Sequence, residues 1–174
     1  MCAARMEIDE TIRQRRTVKN FTPEPVPREL LEQVLEAGLW AQNHGMTEPW
    51  RFTLLGPETR EALAKMYEHS RHKIMNPREL VVVSQVLSND ENVRREDYAA
   101  VSCAIQNIAL AAWSKGLGLL WSTGKWTRLA ETYPGIGLDP AREDIVAFLN
   151  FGFPDGTPSA PPRKPLAEVL TVLP

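Results

Sequence analysis

The sequence predicts a three-layer fold of the α+β or α/β class in which helices outnumber strands. Two observations lead to this prediction. Helix and strand patterns alternate along the chain, and the longest helix pattern, over 92–115, is apolar on most of its circumference. A helix of that kind belongs in the middle of a domain or in an interface between subunits. The 174 residues leave room for one domain, so we expect a single unit over 1–174.

The individual elements follow from the spacing of apolar, β-branched and turn-forming residues. Ile8 and Ile12 predict a short amphipathic helix over 7–16, the prolines of 22–27 predict an extended connection, and Pro27 suits the first turn of a second helix that ends near 38–41. The later predictions are a strand over 50–55, a polar helix over 58–74 with Leu63 and Met66 inward, a central strand over 80–86, the long helix over 92–115, a strand over 117–121, a short helix over 128–133, a strand over 145–151 and a proline-rich arm over 152–174.

Composition and charge exclude several classes of function. The chain has 20 Lys and Arg against 22 Asp and Glu, a net charge of −2 and a pI near 6.0, so no nucleic-acid partner is expected. The longest apolar run, over 108–113, is too short to cross a bilayer, and residues 1–10 lack the apolar region of a secretory signal. Cys2 and Cys103 are too few for a disulfide scaffold. We therefore expect a cytoplasmic protein without a membrane partner.

Several familiar motifs fail on their spacing. The glycines at 116 and 118 follow a helix instead of a strand, and Trp121 occupies the place of the third glycine of a dinucleotide fingerprint. Residues 118–126 have one residue too many between the glycines of a phosphate loop. His69 and His72 lie one helical turn apart without a third ligand at zinc spacing, so we interpret them as a solvated face. Cys103 is interpreted as a core residue.

Three segments keep a functional interpretation. Residues 15–21, Arg-Arg-Thr-Val-Lys-Asn-Phe, place three cations and a hydroxyl at a helix end. They either complement the helix dipole or bind a phosphate through guanidinium groups, and the residues alone leave both interpretations open. Residues 43–52 form a polar loop that enters a strand through Pro-Trp, and residues 161–166 place Arg-Lys between prolines of the arm.

The ordered set of segments resembles the nitroreductase-like FMN-dependent oxidoreductases. The resemblance covers about 8–169 and rests on residues 15–21, on Pro-Trp-Arg-Phe at 49–52, on Gln106-Asn107, on the glycines at 116 and 118, and on residues 152–166. It implies an α+β fold with a mixed central sheet wrapped by helices. It also implies a homodimer in which the long apolar helix forms much of the interface and two FMN molecules each touch both subunits.

The resemblance assigns cofactor-binding roles to individual residues. Arg15, Arg16 and Thr17 match the residues that hold the FMN phosphate and ribityl chain, and Arg163, with Lys164 as its alternative, closes the phosphate site. Trp121, Ser122 and Thr123 match the strand end along the isoalloxazine ring. His44 matches a histidine that reaches the flavin from the partner subunit. The resemblance implies neither a metal nor a catalytic acid–base set, since the cofactor carries the chemistry.

The activity implied is hydride transfer from NAD(P)H to FMN and then to a small acceptor such as a nitroaromatic or a quinone. The sequence departs from the family at Trp40, at Ala41-Gln42-Asn43 and at Glu48, and it has few lid residues over 67–80, which predicts an open site. Three alternatives remain: an FMN-binding module without turnover, a specialised reaction such as dehalogenation or flavin fragmentation, and a helical protein whose basic segments bind an acidic partner.

Overall fold

A four-stranded sheet lies at the centre of the computed structural model, which describes residues 7–156 and 158–174. The strands are β1 (Trp50–Leu54), β2 (Glu79–Val86), β3 (Gly118–Ser122) and β4 (Glu143–Gly152). Their order is β1-β2-β4-β3, and each neighbouring pair is antiparallel. The resemblance implied a mixed sheet. In the described part of the chain, the parallel component is one isolated bridge between Thr17 and Leu119.

Six α-helices surround the sheet in the described ranges of the chain. They are α1 (Ile8–Gln14), α2 (Arg28–Glu36), α3 (Pro57–Met66), α4 (Arg71–Met75), α5 (Glu91–Ser114) and α6 (Thr132–Gly135), with short 3-10 turns between several of them. The prediction of one helix over 58–74 was wrong, because the backbone leaves the helical region at Tyr67 (φ −122°, ψ 64°) and separates α3 from α4. Leu63 is buried as predicted, whereas Met66, the last residue of α3, is 46% exposed.

The sheet is apolar on both faces, which explains the three layers. Val81 and Val83 of β2 face a core formed mainly with α5, whereas Leu80 and Val82 face a second core formed with α3, α4 and α6. This alternation follows from the two-residue period of a strand. It confirms the α+β class and the prediction that the β-branched run over 80–86 is a central strand.

The long helix α5 begins and ends with the expected local signals. The Asp90 side chain accepts hydrogen bonds from the backbone N–H groups of Asn92 and Val93 at its N-terminus. Gly116, with φ 75°, follows its C-terminus in the left-handed region that glycine adopts without strain. No helix in the described ranges is long and apolar enough to cross a membrane.

Candidate functional site

Residues 15–21, here called the edge segment, run from β3, one of the two outer strands of the sheet, to the residues that follow β4. The backbone N–H of Val18 donates to the carbonyl of Leu119 over 3.1 Å, and the N–H of Thr22, one residue beyond the segment, donates to the carbonyl of Phe153 over 2.9 Å. The main chain therefore fastens the segment at its middle to β3 and at its C-terminal end to the residues that follow β4.

Two glycines of the sheet allow this close approach. A Cβ at Gly118 would lie 2.9 Å from the side chain of Val18, and a Cβ at Gly152 would lie 2.7 Å from the ring of Phe21. Val18 and Phe21 are both buried against these glycines. Since extended backbone alternates its side chains, Thr17 and Lys19, the neighbours of Val18, face outward and are exposed.

The edge segment begins in a cluster of cations. Arg15 caps the C-terminus of α1 and is half-buried, and its Nε atom is buried without a hydrogen-bond partner. Burial lowers the pKa of Arg15, and the nearby charges of Arg16 and then Arg163 lower it further. The charges of Arg16 and Arg163 thus lie near enough to Arg15 to act on its guanidinium group. We call these three residues the arginine cluster.

The arginine cluster has an excess of positive charge. No carboxylate forms a salt bridge with its members among the described residues, where the ion pairs found join Arg28 with Glu32 and Arg71 with Glu61. Arg16 donates to the carbonyls of Arg13 and Arg15 over 2.7 and 2.8 Å, so it also serves the end of α1. Both interpretations of the edge segment thus find support. Arg16 donates to carbonyls at the helix end, as a residue that complements the helix dipole does. Arg15 has a buried N–H group from which a bound anion can accept a hydrogen bond.

A cavity of about 590 Å³ adjoins the edge segment. It is lined by two lysines, by three asparagines and by the end of β3 with the loop after it: Lys19, Lys73, Asn20, Asn76, Asn150, Trp121, Ser122, Thr123 and Gly124. The Nε1 atom of Trp121 is buried without a hydrogen-bond partner. The structure thus places the predicted residues Trp121, Ser122 and Thr123 in the wall of one cavity. Its volume lies within the usual range for a small-molecule or cofactor site.

Residues of the cavity wall that the sequence analysis missed come from two other places in the chain. Residues 72–78, here called the helix-end segment, supply His72, Lys73 and Asn76. Asn150 belongs to β4, is 2% exposed, and donates from Nδ2 to the carbonyl of Lys73 over 2.9 Å, while its Oδ1 atom is buried without a partner. The isolated polar residue in the apolar run of β4 was the one available sequence signal for Asn150.

His44 lies in a different hollow, of about 370 Å³, between the loop of Gln42 and Asn43 and the surface of α5. It begins a short 3-10 turn, in which Gly45 and Met46 have positive φ angles of 63° and 54°. The loop is fastened to α5 by a hydrogen bond of 2.6 Å from Thr47 Oγ1 to Asp97 Oδ1. Within one chain, His44 therefore lies apart from the arginine cluster and the cavity.

Four other features considered from the sequence have the following positions in the structure. Cys103 is half-buried and packs against the main core, so the prediction of a core residue holds in part. It also lines the hollow beside His44, on the side of α5 that faces the loop of Gln42. His69 and His72 are exposed, as expected of a solvated face, and His72 also borders the cavity. No group of potential metal ligands was found in the described part of the chain. Lys164 is exposed on the arm beside Arg163.

Comparison with known proteins relates this geometry to one family. The model of the nitroreductase family matches residues 12–79, which include the edge segment and the helix-end segment. YfhC of Bacillus subtilis, provisionally named an NAD(P)H nitroreductase, is 35% identical over 93% of this chain and 92% of its own length. YdjA of Escherichia coli K12, also provisionally named an NAD(P)H nitroreductase, is 27% identical over 86% of this chain and 89% of its own.

Solved structures have the same fold along nearly the whole chain. A nitroreductase-like protein from Bacillus cereus is 29% identical, covers 99% of both chains and has a TM-score of 0.89. A protein from Desulfovibrio desulfuricans, provisionally named a nitroreductase and solved in complex with FMN, is 31% identical, covers 97% of this chain and 98% of its own, and has a TM-score of 0.84.

Proposed function

The chain belongs to the nitroreductase family, and from this premise we propose that it is an FMN-dependent oxidoreductase that takes hydride from NAD(P)H and passes it to a small nitroaromatic or quinone acceptor. The observation that carries the proposal is the edge segment, which begins with Arg15 and Arg16 and supplies Lys19 and Asn20 to the wall of a cavity of cofactor size. A cofactor with one anionic phosphate and one flat polar ring system matches this pair of features. The relative from Desulfovibrio desulfuricans, solved with FMN, supports the same choice.

The residues present fit FMN at both ends of the site. Arg15 offers a buried Nε donor without a partner, and the cluster lacks a carboxylate among the described residues that would compete with a phosphate. We assign Arg15, Arg16 and Thr17 to the phosphate and ribityl chain, with Arg163 or Lys164 closing the phosphate site. We assign Trp121, Ser122 and Thr123 to the isoalloxazine ring. Guanidinium groups suit this task because they bind phosphate through two parallel hydrogen bonds.

The chain's own contribution to the reaction is position and charge. When bound, FMN supplies the hydride chemistry. Lys19 and Lys73 add two positive charges to the cavity wall, and fixed positive charge favours a bound group on which negative charge develops. Both lysines and Asn76 are exposed, which agrees with a site that stays open to an incoming nicotinamide or acceptor.

We further propose that the protein acts as a homodimer. Large apolar side chains lie uncovered on the described chain, among them Trp40 at 84% exposure and the C-terminal residues Leu166, Val169, Leu170, Val172 and Leu173. Contiguous exposed apolar surface usually belongs to an interface. His44 lies against α5, away from the cavity of its own chain. In a homodimer, its role is contact with the flavin of the partner subunit.

The absorption spectrum of freshly purified protein is the first test. We expect a flavin spectrum, or tight binding of added FMN in preference to FAD and riboflavin, together with oxidation of NADPH or NADH that depends on a nitroaromatic or quinone. A protein that binds FMN but oxidises neither nucleotide is instead an FMN-binding module. A protein that cannot be loaded with FMN contradicts the proposal and favours the helical interaction protein.

A further inference from the structure

The helix-end segment forms a cavity wall that its own secondary structure cannot hold in place. It begins within α4, a helix of 5 residues (Arg71–Met75). So short a helix is unstable by itself, because nucleation is unfavourable and few internal hydrogen bonds follow it. Its last carbonyl groups also have no partners within the helix. The position of Lys73 and Asn76 in the cavity wall therefore depends on contacts from outside the segment.

One side chain of α3 supplies most of these contacts. The Arg60 guanidinium donates from Nε and Nη2 to the carbonyl of Ile74 over 3.0 and 2.8 Å. Its Nη2 also donates to the carbonyls of Met75 and Pro77 over 3.1 and 2.6 Å, and its Nη1 to the carbonyl of Arg78 over 3.1 Å. A single planar group thus donates to four of the five carbonyls between residues 74 and 78 of the helix-end segment.

The sheet holds the same segment from another direction. Asn150 of β4 donates to the carbonyl of Lys73 over 2.9 Å, and the N–H of Arg78 donates to the carbonyl of Phe151 over 2.8 Å. The carbonyl of Lys73 accepts the hydrogen bond from Asn150, and the carbonyls that Arg60 binds begin one residue later, at Ile74. The backbone that carries Lys73 and Asn76 is accordingly fixed from α3 and from β4 together.

Arg60 itself does not line the cavity. It is half-buried, burial lowers its pKa, and the charge of Glu79 opposes that effect. Its hydrogen bonds run to neutral main-chain oxygens instead of to a carboxylate partner. A charged group placed in this way stabilises backbone conformation, since each carbonyl would otherwise lose its water without gaining a donor.

We propose that Arg60 is a positioning residue for the ring end of the cofactor site, which acts by holding the helix-end segment so that Lys73 and Asn76 face the cavity. This inference rests on the proposed function, since it concerns how the cavity receives a flavin. Arginine is needed at this position because three nitrogens in one plane reach four carbonyls, whereas the single ammonium of a lysine reaches fewer.

The test compares Arg60→Gln and Arg60→Lys with the parent protein, using FMN and riboflavin as probes. Riboflavin lacks the phosphate, so a defect of the helix-end segment lowers the affinity for both probes by a similar factor. We expect about a tenfold or greater loss for Arg60→Gln, the scale of a lost hydrogen bond from a charged donor. Arg60→Lys should recover part of it. The absorption spectrum of the bound flavin should shift, and hydrogen exchange at the amides of Asn76 and Arg78 should accelerate.

Arg71→Gln is the matched control. Arg71 also belongs to α4, but it is exposed and pairs with Glu61 at 3.0 Å instead of with main-chain carbonyls. This variant should keep the parent's affinities, flavin spectrum and hydrogen exchange.

Each other outcome overturns a specific statement. Equal affinities in parent and Arg60→Gln overturn the inference, as does a loss confined to FMN, which places the effect at the phosphate. If Arg60→Gln does not fold, Arg60→Lys carries the test, and parent-like affinity for riboflavin then overturns the inference. A parent protein that binds neither probe overturns the proposed function and this inference with it, so the two failures are distinct.

Discussion

The edge segment and the helix-end segment both carry a lysine to the cavity, and they are held by opposite means. The edge segment is fixed by its main chain, through the hydrogen bond from Val18 to Leu119 and through glycines that leave room for its side chains. The helix-end segment is fixed by side chains from elsewhere, those of Arg60 and Asn150. Substitutions at glycines therefore threaten the first segment, whereas substitutions of polar side chains threaten the second.

The largest effect is expected at the arginine cluster, because it contributes charge to the ligand directly. Arg15→Ala should weaken FMN by about 1.5–3 kcal/mol, the range for hydrogen bonds to charged groups, and should leave riboflavin binding unchanged. Fluorescence titration with both flavins measures this. Arg13→Ala, an exposed cation on the same helix, serves as the control. If both variants bind FMN like the parent, Arg15 only complements the helix dipole.

The attachment of the edge segment is tested at Gly152. Gly152→Ala places a methyl group 2.7 Å from the ring of Phe21. We expect the free energy of unfolding to fall by about 1–3 kcal/mol, the usual cost of overpacking, as measured by urea denaturation. Gly135→Ala is the control, since its Cβ would meet the nearest side chain, that of Leu63, at an ordinary 3.5 Å. Equal stability of the two variants would show that the edge segment shifts without cost.

His44 tests a region outside both segments. His44→Ala should weaken FMN by roughly 0.5–1.5 kcal/mol, the scale of one neutral hydrogen bond, while the fold and the dimer persist. Reduction by NADPH should slow only modestly once FMN is saturating. His69→Ala removes another exposed histidine and should change none of these properties. Should His44→Ala match the parent in affinity, spectrum and reduction rate, His44 is a surface residue.

The smallest effect concerns the charge beside Arg60. Burial raises the pKa of Glu79, although Arg60 and Arg28 lower it in part. A carboxylate whose folded pKa lies above its unfolded value opposes folding once it is ionised, so this penalty is present at neutral pH and disappears as the pH falls through the folded pKa. Glu79→Gln should therefore be slightly more stable than the parent at pH 7, and the difference should shrink towards pH 4. Urea denaturation at both pH values measures this, and a less stable variant at pH 7 would show that attraction to Arg60 outweighs burial.

The sequence predicted the edge segment better than the helix-end segment for a physical reason. Neighbouring residues make up the edge segment, so its cations and hydroxyl are visible as one run, and the apolar patterns of β2 and α5 were equally local. The helix-end segment depends on Arg60 and Asn150, which come from α3 and β4. Only the pairing of β2 with β4 places Asn150 near Lys73, and the break at Tyr67 has no marker in a polar sequence that suits a helix.

The position of the edge segment on β3 has a consequence for aggregation. A strand at the edge of a sheet exposes unpaired N–H and C=O groups, and an uncharged, apolar edge such as Gly118–Ser122 is a template for pairing with other chains. The edge segment covers part of this strand through the Thr17 bridge and the Val18 hydrogen bond. The same seven residues thus supply cations to a ligand and cover a strand edge that would otherwise pair with other chains. Variants that release the segment should form intermolecular β-structure and precipitate while most of the core is still folded.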